Sequence, residues 1–326
     1  MSGEREIEGL YPICKPPGLT SHDVVAAVRR LTGERHAGHS GTLDPAAAGV
    51  LLVLVGQGPT RLAEYLLDLR KVYVAEIRFG QTTDTQDYTG RLVAAASQSE
   101  VLRLTAADLE AVLPRFRGAL DQMPPMVSAV QMGGRRLYQL AREGRVVERK
   151  PRKVFVYDIE LLDFAAGSDG PVARLRVACS RGTYVRTLAD DLGRALGIGA
   201  HLGFLVREAV GPFEVAATLT LEELAARSAT AELARVRVAP ADAVGHLPAI
   251  RLSTPECDRV RRGEMPRHAG GWAGLSPDRQ PPGRHESAEA VRILSEDGDL
   301  VAVASLSGGR IRPRKVLKPW IGGSPA

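Results

Sequence analysis

The stretch Gly38-His39-Ser40-Gly41-Thr42-Leu43-Asp44-Pro45, followed shortly by Gly49-Val50-Leu51-Leu52-Val53-Leu54-Val55, constrains this chain more than any other segment. The second run is apolar throughout and reads as a buried strand. In the first, Gly38 and Gly41 open backbone angles closed to other residues. Pro45 biases Asp44 towards an extended backbone and away from the helix. The fold must therefore seat one carboxylate in a glycine-framed loop that runs into a buried strand. A carboxylate held that rigidly can serve as a nucleophile. The same G-T-x-D-P pattern also makes an ordinary tight turn.

The stretch resembles the catalytic loop of the TruB-type tRNA pseudouridine synthases, whose pattern runs G-H-x-G-x-L-D-P-x-A-x-G-x-L. Gly38 through Leu51 carries it, with Ala47, Gly49 and Leu51 in place. The resemblance implies that Asp44 is the nucleophilic aspartate. It extends over nearly the whole chain. Lys15-Pro16-x-Gly18-x-Thr20-Ser21 matches the family's opening motif, and Ser180-Arg181-Gly182-Thr183-Tyr184-Val185-Arg186-Thr187 resembles its S-K/R-G-T-Y-I/V-R-T motif. By that resemblance Arg186 pairs with Asp44 and Tyr184 lines the uracil pocket. Tyr73 matches the tyrosine stacked on the flipped base and proposed to act at C5. Leu205 matches a leucine packed on the pocket, although Val206 stands where the family usually has a basic residue. His39 would fill the space that flipped nucleotides leave in the T loop. Lys15 and Arg181 join the expected substrate-binding set. Without the family, Lys15 reads as a solvated lysine before a turn, Arg181 and Arg186 as surface arginines, and Tyr73 as a core residue of a strand.

The implied chemistry breaks the N1–C1′ bond of a uridine, rotates the uracil and rejoins it through C5. A free carboxylate, with a pKa of about 3.9, is ionised at neutral pH. It can form a covalent adduct that splits one hard step into easier ones, by attack at C1′ or at C6, or it can remove a ribose proton. Buried, it needs a cation to stay charged. The target base must first leave the stack.

Composition fits a polyanion ligand only locally. Lys and Arg number 43 against 38 Asp and Glu. Between Gly133 and Lys153, however, eight basic residues (Arg135, Arg136, Arg142, Arg145, Arg149, Lys150, Arg152 and Lys153) face only Glu143 and Glu148. That local excess outweighs the formal +5 of the whole chain. Pro151 and several glycines break any simple helix there, so the segment reads as a mobile arm, and it resembles the family's thumb insertion that closes over RNA. The three cysteines, Cys14, Cys179 and Cys257, form no C-x-x-C pair, which argues against zinc and disulfides and for a reducing compartment. The N-terminal residues are polar and acidic, unlike a signal peptide. No apolar run approaches the roughly 18 residues of a membrane span. The chain is expected in the cytoplasm, with neither metal nor organic cofactor.

At 326 residues two domains are expected. Strands and helices mix without a steady βαβ period, which predicts an α+β pseudouridine-synthase fold with a mixed, largely antiparallel sheet. Residues 1–246 would form the catalytic domain, with the thumb at about 122–153. Ser21 reads as the N-cap and Gly33 as the end of a first helix, with a second helix near 60–69. Thr105 and Asp108 resemble a capping box, and strands are expected at Val154–Leu162 and Val172–Cys179. Ala239–Pro248 looks like a linker. Beyond it come a Pro/Gly/Arg-rich loop (Ser276–His285) and a hairpin, Val291–Leu294 with Leu300–Ala304. This tail carries 13 Lys/Arg against nine Asp/Glu. It resembles the small β-barrel RNA-binding module called PUA, so 247–326 is assigned to it. The activity implied is isomerisation of uridine 55 in the tRNA T stem-loop, with no obligatory protein partner. Two other readings stand beside it: the catalytic subunit of a guide-RNA pseudouridylation complex, or an RNA-binding or RNA-folding factor.

Overall fold

Seven successive buried residues, Gly49 to Val55, find their explanation in a strand packed on both faces. The computed structural model describes residues 7–126, 131–132, 135–136, 147–167, 170–264, 289–307 and 310–317. In it the strand Ala48–Val55 is covered on both faces. Val50, Leu52 and Leu54 join one apolar cluster, while Leu51, Val53 and Val55 join another with Val24, Val25 and Val28 of the helix Ser21–Thr32. Burying each such side chain contributes about 1.5–3 kcal/mol, which makes this strand a fixed wall for the loop before it.

The main sheet runs in the order Gly9–Lys15, Ala48–Val55, Ala200–Val210, Lys71–Phe79, Val172–Cys179, Arg152–Ala165 and Gly118–Gln122. Ala37–Ser40 pairs with Ala48–Val55, and Phe213–Glu214 with Ala200–Val210. One pairing is parallel, between Ala200–Val210 and Ala48–Val55; the others are antiparallel. The expected α+β class and mixed, largely antiparallel sheet are found. Period-two alternation sends Tyr73, Ala75, Ile77 and Phe79 to the same core as Leu175, Val177 and Cys179. Against them packs the helix Val185–Ala195 through Val185, Leu188, Ala189 and Leu192. A Cβ on Gly193 would lie 2.1 Å from the Ala200 backbone nitrogen, so the helix sits on the sheet backbone to backbone and glycine is required there.

Several local expectations shift. Thr20, not Ser21, caps the first helix and closes a capping box with Asp23, because the Ser21 hydroxyl is engaged with Leu43. Gly33 ends that helix in the left-handed region at φ 70°. The Thr105–Asp108 capping box forms. The helix expected near 60–69 is two short turns, Gln57–Thr60 and Ala63–Leu66. Arg152 and Lys153 do not belong to a free arm. They begin the strand Arg152–Ala165 and pair with Gln122 and Asp121. Of the remaining arm, Gln131–Met132 pairs with Arg135–Arg136, and 127–130, 133–134 and 137–146 lie outside the described residues.

Ala239–Pro248 is not a solvated linker. Pro240–Ala243 forms a helical turn, and Ala243, Val244 and Leu247 enter a cluster with Leu10, Leu52, Leu54, Leu294, Leu300 and Leu317. The predicted hairpin is present within a four-stranded sheet, Ala249–Arg251, Glu289–Leu294, Leu300–Ser307 and Arg310–Val316, beside the helix Thr254–Arg261. Among the described residues this sheet is open and no closed barrel is found; the Ser276–His285 loop lies outside them. The three cysteines are free thiols. No helix among the described residues is long and apolar enough to cross a membrane.

Candidate active site

Asp44 sits in the loop between the strands Ala37–Ser40 and Ala48–Val55, and both of its neighbours are pinned. The Leu43 N–H donates to Ser21 Oγ at 3.0 Å while the Ser21 hydroxyl donates to the Leu43 carbonyl at 3.1 Å. The Pro45 carbonyl accepts from the Gly18 N–H at 2.8 Å and from Lys15 Nζ at 3.2 Å. Lys15 Nζ also donates to the carbonyls of Pro16 at 2.9 Å and Leu19 at 2.7 Å. The expectation that Lys15 meets substrate is therefore corrected. It is fully buried, and its three donors are spent on three carbonyls. Burial pulls its ammonium down to about 8, against the opposing pull of Asp44.

Arg207 supports the loop from the sheet. Its side chain, 1 % exposed, donates through Nε to the Val50 carbonyl at 2.7 Å, through Nη2 to Gly41 at 2.9 Å and through Nη1 to Thr42 at 3.4 Å. The single parallel pairing of the main sheet sets Arg207 beside Gly49. Gly49 has φ 105°, and a Cβ there would meet the Arg207 carbonyl oxygen at 2.3 Å. Glycine is obligatory at this crossing.

Arg186 is the second residue of the helix Val185–Ala195 and its side chain is 4 % exposed. Its Nε lies 2.9 Å from Asp44 Oδ2, and its Nη1 lies 3.4 Å from Asp87 Oδ2 and donates to the Thr85 carbonyl at 3.3 Å. Asp44 and Arg186, paired in expectation, are in contact. The Asp44 side chain keeps 42 % of its exposure, so the carboxylate is reachable from solvent although a buried arginine holds it. Burial pushes its carboxyl above the usual value; Arg186 and Lys15 pull it down and Asp87 adds to the rise. Asp87 is itself fixed, its Oδ1 accepting from Thr85 Oγ1 at 2.8 Å, Thr89 Oγ1 at 2.5 Å and the Thr89 N–H at 3.0 Å.

Tyr73 pairs with Arg207 across the sheet, is 8 % exposed, and shares a core cluster with Leu43, Ala47 and Leu205. It thus backs the Asp44 loop. Burial raises its phenol, with Arg207 opposing. His39 is half-buried, edge-on to His22 with ring centroids 5.4 Å apart; burial, then His22 and Arg207, pull its imidazole down to about 4, so it is neutral at pH 7. Tyr184, half-buried, is the N-cap residue of the Arg186 helix, and its backbone is held at both ends by Gln122 at 2.7 and 2.9 Å. Arg181 is exposed and pairs with Asp68 at 2.9 Å. Arg149 donates to the Pro124 carbonyl at 2.8 Å, Lys150 is exposed, and Lys153 meets Asp121 at 3.3 Å.

Sequence reasoning missed Asp87 and gave Arg207 no supporting role. Asp87 lies in the polar stretch 81–90, which also holds Asp84, and carries no motif of its own. Arg207 carried a signal, two residues beyond Leu205 on one strand face.

Comparison with known proteins agrees with this geometry. Residues 29–185 match the model of the TruB family pseudouridylate synthase N-terminal domain, and residues 186–244 that of the tRNA pseudouridylate synthase B C-terminal domain. The tRNA pseudouridine synthase B of Symbiobacterium thermophilum is 53 % identical over 261 residues, 80 % of this chain and 84 % of that protein. That of Geobacter sulfurreducens is 44 % identical over 93 % of this chain and 95 % of its own length. Among solved structures, a chain of a Cbf5-Nop10-Gar1 complex superposes with a TM-score of 0.73 at 27 % identity, covering 98 % of this chain and 89 % of that one. With two domain models matching residues 29–185 and 186–244 and a relative 53 % identical over four-fifths of its length, the chain belongs to the TruB family of pseudouridylate synthases.

Proposed function

We propose that this protein isomerises uridine 55 to pseudouridine in the T loop of tRNA. The observation that carries the reading is the Asp44 carboxylate, 42 % exposed and held at 2.9 Å by a buried arginine. Arg186 favours the ionised carboxylate against the opposing effect of burial, and the pinned neighbours keep it aimed. Every route to product (attack at C1′, attack at C6, or removal of a ribose proton) starts from that ionised group. Across the whole reaction N1 gains the proton that C5 loses and no atom is added.

Flipping a base out costs a few kcal/mol, and stacking on an aromatic side chain returns about 1–3 kcal/mol. Tyr73 and Tyr184 are the rings we assign to the uracil, with Leu205 packed behind. Neutral His39, edge-on to His22, would occupy the gap left in the T loop. Arg149, Lys150, Arg152, Lys153 and Arg181 would meet phosphates. Residues 1–246 are proposed as the catalytic unit and 247–326 as an RNA-binding module on the acceptor side of the tRNA, in the manner of a PUA domain. The enzyme would work in the cytoplasm without a partner protein.

The test is incubation with unmodified tRNA transcript, without added protein, guide RNA or metal, followed by mapping of pseudouridine. Product confined to uridine 55 supports the reading. Product elsewhere overturns the site, and activity only with guide RNA and partner proteins favours the guide-dependent alternative. Asp44→Asn should bind tRNA, since phosphate contacts dominate affinity, and give no product.

A further inference from the structure

Arg186 reaches Asp44 only while the helix Val185–Ala195 keeps its rotation and its distance from the 85–87 segment. A guanidinium that touches the Thr85 carbonyl, Asp87 and Asp44 together leaves little slack. Gln86, at the centre of that segment, holds it. Its backbone sits at φ 65°, in the left-handed region, where a residue with a side chain persists only if its surroundings hold it.

The holding contacts come from three elements. The Gln86 N–H donates to the Thr83 carbonyl at 3.1 Å, and the Gln86 carbonyl accepts from the Leu202 N–H at 3.0 Å. Its side-chain Oε1 accepts from Thr187 Oγ1 at 2.8 Å, and its Nε2 donates to Asp190 Oδ2 at 2.9 Å. Thr187 and Asp190 are 3 % and 5 % exposed and lie three residues apart, on one face of the Arg186 helix. Asp190 is held in turn by Arg194 at 2.7 Å. An amide alone suits this slot, because it accepts from one partner and donates to the other. Glutamate would set two carboxylates against each other, and asparagine is one methylene short.

We propose that Gln86 is a positioning residue for this active site. With Thr187 and Asp190 it sets the spacing between the 85–87 segment and the helix, so that Arg186 spans Asp87 and Asp44. The proposal rests on the reading of Asp44 and Arg186 as the chemical centre. It goes beyond that reading by naming what fixes their geometry.

The experiment compares five full-length proteins: the natural one, Gln86→Glu, Asp190→Asn, the double variant and Asp44→Asn. Single-turnover pseudouridine formation on uridine-containing tRNA is measured at saturating enzyme, and tRNA Kd separately. A misplacement of about 1 Å costs on the order of 100-fold in rate, so Gln86→Glu should lose about 10- to 100-fold with Kd unchanged. In the double variant the amide introduced at position 190 would donate to the carboxylate introduced at position 86, which would still accept from Thr187. The link is then restored with its polarity reversed, and the rate should return to within a few-fold of the natural protein. For Gln86→Glu alone, the rate relative to the natural protein should rise as pH falls, because one proton shared by the two carboxyls restores the link. Gln86→Glu at full rate, a loss explained by Kd, or a double variant no better than its worse parent overturns the proposal. An active Asp44→Asn overturns the reading beneath it; an inactive Asp44→Asn beside a fully active Gln86→Glu overturns this inference alone.

Discussion

Replacing Arg186 by glutamine removes the one cation that touches both Asp44 and Asp87. Glutamine keeps much of the side-chain volume and some donors, so the change isolates charge. Removing one partner of a buried ion pair costs about 3–5 kcal/mol. The Asp44 side chain is 42 % exposed, so water screens its share and the lower end, about 3 kcal/mol, is expected at pH 8. For a chain of this size 1 kcal/mol moves Tm by about 2 °C, so Tm should fall by about 6 °C. The deficit must depend on pH. Two neighbouring carboxyls without a cation cannot both ionise freely, so one is driven above its unfolded value. A raised folded value means the native variant binds more protons than its unfolded chain, and its stability falls as pH rises through that value. The difference from the natural protein should therefore shrink towards pH 5 and be fully expressed at pH 8. Calorimetric Tm across pH 5–8, with single-turnover rates on the same samples, reads both effects. The same Tm difference at both ends, or a rate within tenfold of the natural protein, would refute the view that Arg186 neutralises this carboxylate pair.

Asp44→Asn should lose product formation yet be at least as stable as the natural protein near pH 7. Burial raises the Asp44 carboxyl, so its ionised form burdens the fold above that value and the advantage of the amide should vanish in acid; a lower Tm at pH 7 would count against this. Gly49→Ala should cost about 3 kcal/mol or more, since it combines a strained φ with a Cβ 2.3 Å from a backbone oxygen, and normal thermal unfolding would contradict it. Reversing Arg149, Lys150, Arg152 and Lys153 to Glu should weaken tRNA binding and flatten its log–log salt dependence by up to about 3–4; an unchanged slope removes these residues from the RNA interface. Truncation at residue 247 should yield insoluble protein, because Leu247, Leu294, Leu300, Val303 and Leu317 complete a cluster with Leu10, Val50 and Leu52. Reversing exposed Arg312 and Arg314 instead should raise the tRNA Kd and leave the single-turnover rate unchanged, and a slower rate would mean that this module helps to build the site.

Local physics written into short windows was legible. Seven apolar residues in a row could only be a strand buried on both faces, and Val50–Val55 divides its side chains between two clusters. Tyr73 is a core residue of its strand as expected, and the Thr105–Asp108 box placed a helix start. What failed was set by distant partners. Ala239–Pro248 has the composition of a linker, yet Ala243, Val244 and Leu247 are buried because an apolar face of the first strand lies beside them. Asp87 gave no sign of its place, since nothing near it in sequence says that Arg186, 99 residues on, lies 3.4 Å away.

The basic residues teach the sharper lesson. Lys15, Lys71 and Arg207 resemble RNA contacts by charge, but each stands on a strand at the same parity as a residue pointing inward: Ile13, Tyr73 and Leu205 respectively. Period two therefore sends all three into the protein. Each meets carbonyl oxygens there: Lys15 the loop ends around Pro45, Lys71 the carbonyls of Leu67 and Leu69, and Arg207 those of Gly41, Thr42 and Val50. A buried cation is tolerated where carbonyl oxygens surround it as acceptors. Loops entering a sheet provide such carbonyls, and here two of the three cations tie down the loop that bears Asp44. Strand parity, applied to charged residues as strictly as to apolar ones, separates the arginines and lysines left at the surface from those buried in the sheet, two of which hold the Asp44 loop still.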